Sequence, residues 1–517
     1  MSSPEAVINE VTLPKKKHRW ISKTICMFLL SVSVVLFFAA RWYIGKFGNV
    51  GFDSILFTIF SNVKGAQTDE MVTSFLIRGA IPSVLIIATV GYVLFFFSNK
   101  RSFSITLKKK NFKLLPLKHH FSVIISVMLS FVLLISAAAT AGLTNYVYSM
   151  VAKTEIFDEE YVDPMSVGIE FPEQKRNLIY IFLESMETTY FSKEDGGGLE
   201  YNLIPELYSM AENNVNFSHN DGIGGLYATN GATWTVAAMT AHSSGVPLKA
   251  PRVFSRNSYG SDNFLPGLNT LSDVLAANGY FQALMVGSTA DFANRDVFYR
   301  DHGVNEIYDL TTARAEGFVP PDYHDGWWGL EDANLFRYAQ QKLTEMSTKD
   351  QPFALTMLTV DTHMTGGHLC FKCENKYEEK YENVLSCSSH QVDEFVNWIK
   401  QQDFYKDTTI VIVGDHLTMD SEYIGRNVQP KFDRRVYNCI INSAVEGVNY
   451  KNRQATTLDM FPTTLAAMGC KIEGERLGLG TNLFSDKETL SERMGYDDFN
   501  YQISYNSNFY NDNFLGE

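Results

Sequence analysis

The sequence predicts an α/β fold, a parallel or mixed sheet with helices on both faces, preceded by membrane-spanning helices. Three observations carry that prediction. Asn177–Ser185 (NLIYIFLES) and Thr409–His416 (TIVIVGDH) are β-branched and aromatic apolar runs that stop abruptly at acidic or imidazole side chains. Apolar runs of this length are strands buried on both faces. Next, candidate strands Leu178–Leu183, Phe281–Val286, Phe353–Val360, Thr409–Val413 and Tyr437–Ile441 alternate with candidate helices Ile204–Asn213, Thr270–Asn278, Asp332–Met346 and His390–Gln401. Such alternation builds a layered sheet. Finally, Trp20–Ala40, Gly79–Phe97 and Phe121–Leu143 are apolar stretches near the roughly 20 residues that a bilayer crossing needs.

The N-terminal part, residues 1–143, reads as a membrane domain with spans at 20–40, 79–97 and 121–143. The first span is too long for a signal peptide, and further spans follow it. Lys15, Lys16, Lys17 and Arg19 precede it, and Arg101, Lys108, Lys109, Lys110, Lys113 and Lys118 lie between the second and third. An excess of basic residues marks the cytoplasmic side, so the expectation is a multi-pass protein whose chain beyond the third span lies outside the cell membrane. Gly51–Asn62 is apolar but too short to cross and reads as a re-entrant or interfacial helix. Residues 144–175 read as an exposed linker, 176–485 as the catalytic domain and 486–517 as a polar tail.

Charge separates the two regions. The chain has a net charge of −14, yet its first 150 residues are strongly basic and the remainder strongly acidic. An acidic domain of this size excludes nucleic acid as a partner, because phosphate backbones attract basic surfaces.

In open α/β sheets ligands bind beyond the carboxyl ends of the strands. Glu184, Asp415 and His416 would project from one such edge, and two carboxylates with an imidazole suit zinc or manganese. Asp415 and His416 are adjacent and on a strand would face opposite ways, so both can serve one ion only if the strand ends there; Gly414 gives the local freedom. The stretch Tyr227–Pro247 supplies hydroxyls, Thr233 and Thr235, ahead of a predicted helix Val236–His242. A hydroxyl at a helix N-terminus lies beside free N–H groups, which suits a phosphate or sulfate substrate. Thr233 stands where a cap would and is the preferred nucleophile; Thr235 is the alternative, and either is also a common capping residue.

Taken together, Glu184, Thr-x-Thr and Asp415-His416 resemble the alkaline-phosphatase/sulfatase superfamily. Within it the chain is similar to the membrane-anchored phosphoglycerol transferases, the lipoteichoic acid synthase branch included. Asn294-Arg295-Asp296, Thr359–His363 and Thr457–Pro462 extend the match. The resemblance implies a sulfatase-like sandwich with a central mixed, mostly parallel sheet. It implies a metal site of Glu184, Thr233, Asp415 and His416 holding a divalent cation, manganese first, with magnesium and zinc compatible. Arg295 would grip the substrate phosphate, and His363 would bind it and serve as acid for the leaving group. The implied reaction moves phosphoglycerol from phosphatidylglycerol to a glycan or polyglycerolphosphate acceptor of the bacterial cell envelope through a phospho-threonine. Ala293 replaces the family's tryptophan, and the family's five spans are three here. Two rivals remain: a phosphoethanolamine transferase and a non-catalytic lipid-sensing membrane protein. Cys370, Cys373 and Cys387 cluster in a polar stretch, where a disulfide from Cys387 is favoured over a zinc knuckle completed by His368 or His390.

Overall fold

The computed structural model describes residues 8–9, 19–48, 51–60, 69–96, 102–107, 110–114, 119–249, 263–323, 328–446 and 450–515. Lys15, Lys16, Lys17, Arg101, Lys108, Lys109 and Lys118, which set the expected orientation, lie outside the described residues. Four helices come first: α1 (Arg19–Phe47), α2 (Phe52–Phe60), α3 (Met71–Phe95) and α4 (His119–Thr140). Of these, α1, α3 and α4 are long and apolar enough to cross a bilayer. The chain divides into two compact units, residues 1–49 with 67–145, and residues 50–66 with 146–517.

In the first unit α4 turns Ser122, Ser126, Ser130 and Ala137 inward. Small side chains at four-residue spacing let helices approach closely where hydrophobic drive is weak. Ser126 Oγ reaches the Cys26 carbonyl of α1 at 3.4 Å, and Ser22 Oγ lies 3.0 Å from His119 Nε2.

The second unit is built on six strands, β1 (Asn177–Leu183), β2 (Phe281–Val286), β3 (Glu306–Tyr308), β4 (Phe353–Leu358), β5 (Thr408–Gly414) and β6 (Asn438–Ile441). Their order is β6-β5-β1-β4-β2-β3, parallel throughout except for β6 at one edge. Strand period 2 splits β1 between two cores: Leu178, Tyr180 and Phe182 face one, Ile179, Ile181 and Leu183 the other. The first face is covered by α6 (Thr235–Ser244), α7 (Leu271–Ala277) and α11 (Met460–Ala467). The opposite face is covered by α5 (Pro205–Asn213), α9 (Asp332–Met346) and α10 (Lys380–Lys400). Between these come α8 (Arg295–Asp301) and its preceding turn. The architecture is thus an α/β sandwich around a mixed, mostly parallel sheet.

Two expected boundaries need correction. The region expected as a polar tail folds back into the unit: Phe499, Ile503, Tyr510 and Phe514 are buried, and Tyr496 stacks on Tyr227 at 3.7 Å. Its apolar residues are sparse among Asn and Asp, which hides them from a composition reading. The expected linker is also partly core, since Phe157 is buried against Tyr510 and Phe514, and Ile169–Glu170 pairs with Lys471–Ile472. Helix α2 belongs to this unit too. Its Phe57 ring is 2% exposed and lies 5.6 Å from that of Trp234.

Candidate active site

Strands β1 and β5 run parallel with Leu183 beside Gly414, so their carboxyl ends finish level. Glu184 therefore emerges next to Asp415 and His416. Gly414 is required here: a Cβ on it would sit 1.7 Å from the Met186 carbonyl oxygen. β5 ends at that glycine, which lets two successive side chains turn toward one point. Ser185 just beyond β1 takes a positive φ of 53°. Its N–H donates to Asp415 Oδ1 at 2.8 Å, and the His416 N–H donates to the same oxygen at 2.7 Å. The other oxygen, Oδ2, is buried without a hydrogen-bond partner and lies 3.4 Å from His416 Nε2. Ligand atoms of Glu184, Asp415 and His416 all lie within 4.8 Å of one another, and all three side chains are buried.

The His416 tautomer is set by the backbone. Nδ1 lies 2.9 Å from the Leu417 carbonyl oxygen, which can only accept, so Nδ1 carries the proton and Nε2 faces the carboxylates. Burial disfavours charge on this ring, but Asp415 and Glu184 outweigh it and hold His416 above its ordinary value. Burial, then the Glu184 carboxylate, pushes Asp415 up to about 7. Burial would likewise raise Glu184, yet His363, His416 and the Ser185 and Thr235 hydroxyls together hold it low.

Helix α6 points its N-terminus at this group. Its N-cap is Trp234, not Thr233 as the sequence suggested, which makes Thr235 the first helical residue. Thr235 Oγ1 lies 3.3 Å from both Glu184 Oε2 and His416 Nε2. The one-residue shift of the cap carries the hydroxyl of Thr235, the alternative in the sequence reading, onto the carboxylate group.

Arg295 is buried at the start of α8, after two residues, Ala293 and Asn294, with φ of 57° and 56°. Its Nε donates to the Phe292 carbonyl and its Nη2 to Ser288 Oγ and the Thr289 carbonyl. Burial draws this guanidinium down to about 10, with Glu184 the leading opposing charge. His363 follows β4, and its Nδ1 lies 2.7 Å from the Met364 carbonyl, leaving Nε2 as the acceptor. Burial lowers its pKa, which works against the protonated ring that an acid for the leaving group requires.

Other contributors escaped the sequence reading. Thr359 Oγ1 accepts from the Glu184 N–H at 3.0 Å, and Thr362 Oγ1 donates to the Glu184 carbonyl at 2.5 Å. Both lie in the Thr359–His363 stretch, whose periodic threonines were the available signal. Asp332 Oδ1 accepts from the Val360 and Asp361 N–H groups and pins the same loop. Trp328 packs its ring 4.7 Å from His363 and 5.2 Å from Phe292. Nothing local in the sequence marks it.

The donor set fits a divalent cation. Two buried carboxylates share one imidazole, and an orphaned Asp415 oxygen faces the group; a cation would relieve the desolvation and repulsion that raise Asp415. Metal must displace protons from Asp415 and His416. Apparent metal affinity is therefore expected to fall by about tenfold or more per unit as pH drops below about 7. Titration calorimetry in buffers of different ionisation enthalpy measures the protons released; pH-independent affinity between 5 and 7 would contradict it.

A fold and donor set of this kind are compatible with metal-assisted group transfer. The chain belongs to the sulfatase family, whose model matches residues 176–470. It is 29% identical over 415 residues to phosphoglycerol transferase I of Escherichia coli O6:K15:H31, covering 78% of this chain and 49% of that one. It is 32% identical over 335 residues to phosphoglycerol transferase I of Salmonella choleraesuis, covering 62% and 40%. The chain thus spans about half the length, or less, of these curated relatives. Among solved structures, the lipoteichoic acid synthase LtaP of Listeria monocytogenes aligns with a TM-score of 0.47 at 20% identity, covering 62% of this chain and 79% of that one.

Proposed function

We propose that this membrane protein transfers phosphoglycerol from phosphatidylglycerol to a cell-envelope glycan or glycerolphosphate acceptor through a phospho-threonine on Thr235. The observation that carries this reading is the Thr235 hydroxyl, set at a helix N-terminus 3.3 Å from both Glu184 and His416. The relatives' names supply the transferred group, and three bilayer-length helices fit a lipid donor. The orientation proposed puts the second unit on the outer face, where it meets donor lipid held at high local concentration.

A divalent cation held by Glu184, Asp415, His416 and Thr235 would supply the charge that favours an ionised hydroxyl and a neutralised phosphate. Thr235 Oγ1 gives its proton to water and bonds to phosphorus. The phosphorus–oxygen bond to diacylglycerol breaks, and that oxygen takes a proton from water. Free N–H groups of the first turn of α6 face the developing charge. Arg295, with Nε and Nη2 tied to the protein, offers its remaining nitrogen to a phosphate oxygen. In the second displacement the acceptor hydroxyl bonds to phosphorus and passes its proton to His363 Nε2. The Thr235 ester bond breaks, the threonine oxygen takes a proton from water, and His363 releases its proton to water. The neutral His363 tautomer suits this acceptor role better than donation to diacylglycerol.

The test uses the full chain in detergent with manganese and a donor lipid carrying a fluorescent acyl chain. Fluorescent diacylglycerol is expected from phosphatidylglycerol and not from phosphatidylethanolamine. Release from phosphatidylethanolamine alone would replace the reading with phosphoethanolamine transfer, and silence with both lipids would favour a lipid sensor.

A further inference from the structure

Among the described residues a second group of ligand-type side chains converges away from the site above. Cys370, Cys373 and Cys387 place their sulfurs within 4.8 Å of one another. Cys370 Sγ lies 3.6 Å from Cys373 Sγ and 4.0 Å from Cys387 Sγ. Cys370 and Cys373 sit in the loop after β4, and Cys387 sits on α10. We propose that these three cysteines form a thiolate site for one zinc ion, distinct from the Glu184 centre, that fastens the loop carrying His363 to α10.

Geometry favours this over a disulfide. Zinc–thiolate bonds of about 2.3 Å in a tetrahedron set sulfurs about 3.8 Å apart, and the two recorded separations bracket that value. A disulfide joins only two sulfurs and would strand the third against it; a cation uses all three. The surroundings suit thiolates. Gln391, itself buried at 2% exposure, points its Nε2 at Cys387 Sγ (3.3 Å) and Cys370 Sγ (3.6 Å). An amide N–H can only donate, so it favours sulfur as an anion. Soft sulfur ligands in a tetrahedral set select zinc over manganese or magnesium.

A cavity of about 360 Å³ lined by Cys387, Glu206, His390 and Gln391 adjoins the group and would admit water as a fourth ligand. Among the described residues neither His368 nor His390 joins the sulfur group, and His390 is 61% exposed between Glu206 and Glu394. Binding would release the thiol protons and leave three metal–sulfur bonds, with no change of oxidation state.

The test uses the full chain purified in detergent from zinc-supplemented cells, with Glu184→Gln as the background that removes metal from the other centre. About one zinc per chain is expected by elemental analysis, falling below about a tenth when Cys387→Ser is added. Cobalt exchanged into this background should give thiolate charge-transfer absorption that Cys370→Ser abolishes. Should the serine variants fail to fold, the Glu184→Gln chain alone decides. Denatured with chelator, it should show all six cysteines as reactive thiols and release its zinc. Fewer than six thiols without reductant, or no zinc in the Glu184→Gln chain, would overturn the proposal in favour of a disulfide or a bare thiol cluster.

Discussion

Thr235→Ala is expected to lower release of diacylglycerol by at least about a thousandfold, because it removes the oxygen to which phosphorus must bond. Thr233→Ala should stay within about tenfold of the parent. The contrast follows from the position of the cap: with Trp234 outside the helix, only Thr235 starts the first turn with its hydroxyl between Glu184 and His416. Metal content should survive Thr235→Ala, since Glu184, Asp415 and His416 remain. A dead Thr233→Ala beside an active Thr235→Ala would return the nucleophile to the first threonine.

Asp415→Asn is expected to pull metal and stability in opposite directions. Asparagine keeps a carbonyl oxygen for the Ser185 and His416 N–H groups but removes the charge that a cation needs. Metal should fall to below about a tenth of the parent level, and activity by at least about a hundredfold. The metal-free fold should gain. Asp415 keeps its proton up to about pH 7 when folded, whereas an unfolded aspartate gives it up near pH 4. The folded state therefore binds the extra proton between those values, and the metal-free protein loses stability as pH rises through that window. Asparagine has no such loss. Thermal melts with chelator should show Asp415→Asn above the parent at pH 8, with the gap closing by pH 5. An Asp415→Asn melt below that of the metal-free parent at pH 8 would mean that the carboxylate is held by something other than the expected cation.

The elements legible in the sequence are strands whose residues face only protein and a helix with one clear apolar face. β1, β2 and β5 lie at or near the sheet centre and show as unbroken apolar runs, and α9 matches its expected bounds, Asp332–Met346. β3, three residues at the sheet edge, leaves no run to read. The first half of α10 was missed because Glu, Asn, Ser and Cys occupy buried positions that an apolar template skips. Within the site, Glu184, Asp415 and His416 were readable because each ends a strand. The choice between Thr233 and Thr235 was not, since it turns on the backbone angles of Trp234, a residue with no capping side chain.

Helix α2 has a bearing on membrane topology. Phe57 is sealed against Trp234 inside the unit that also holds residues 146–515. If that packing holds in the membrane, residues 51–60 and 146–515 share a side and the chain between them crosses an even number of times. Taken as crossings, α3 and α4 would then form a there-and-back hairpin. That parity rests on packing alone and owes nothing to the distribution of lysine and arginine.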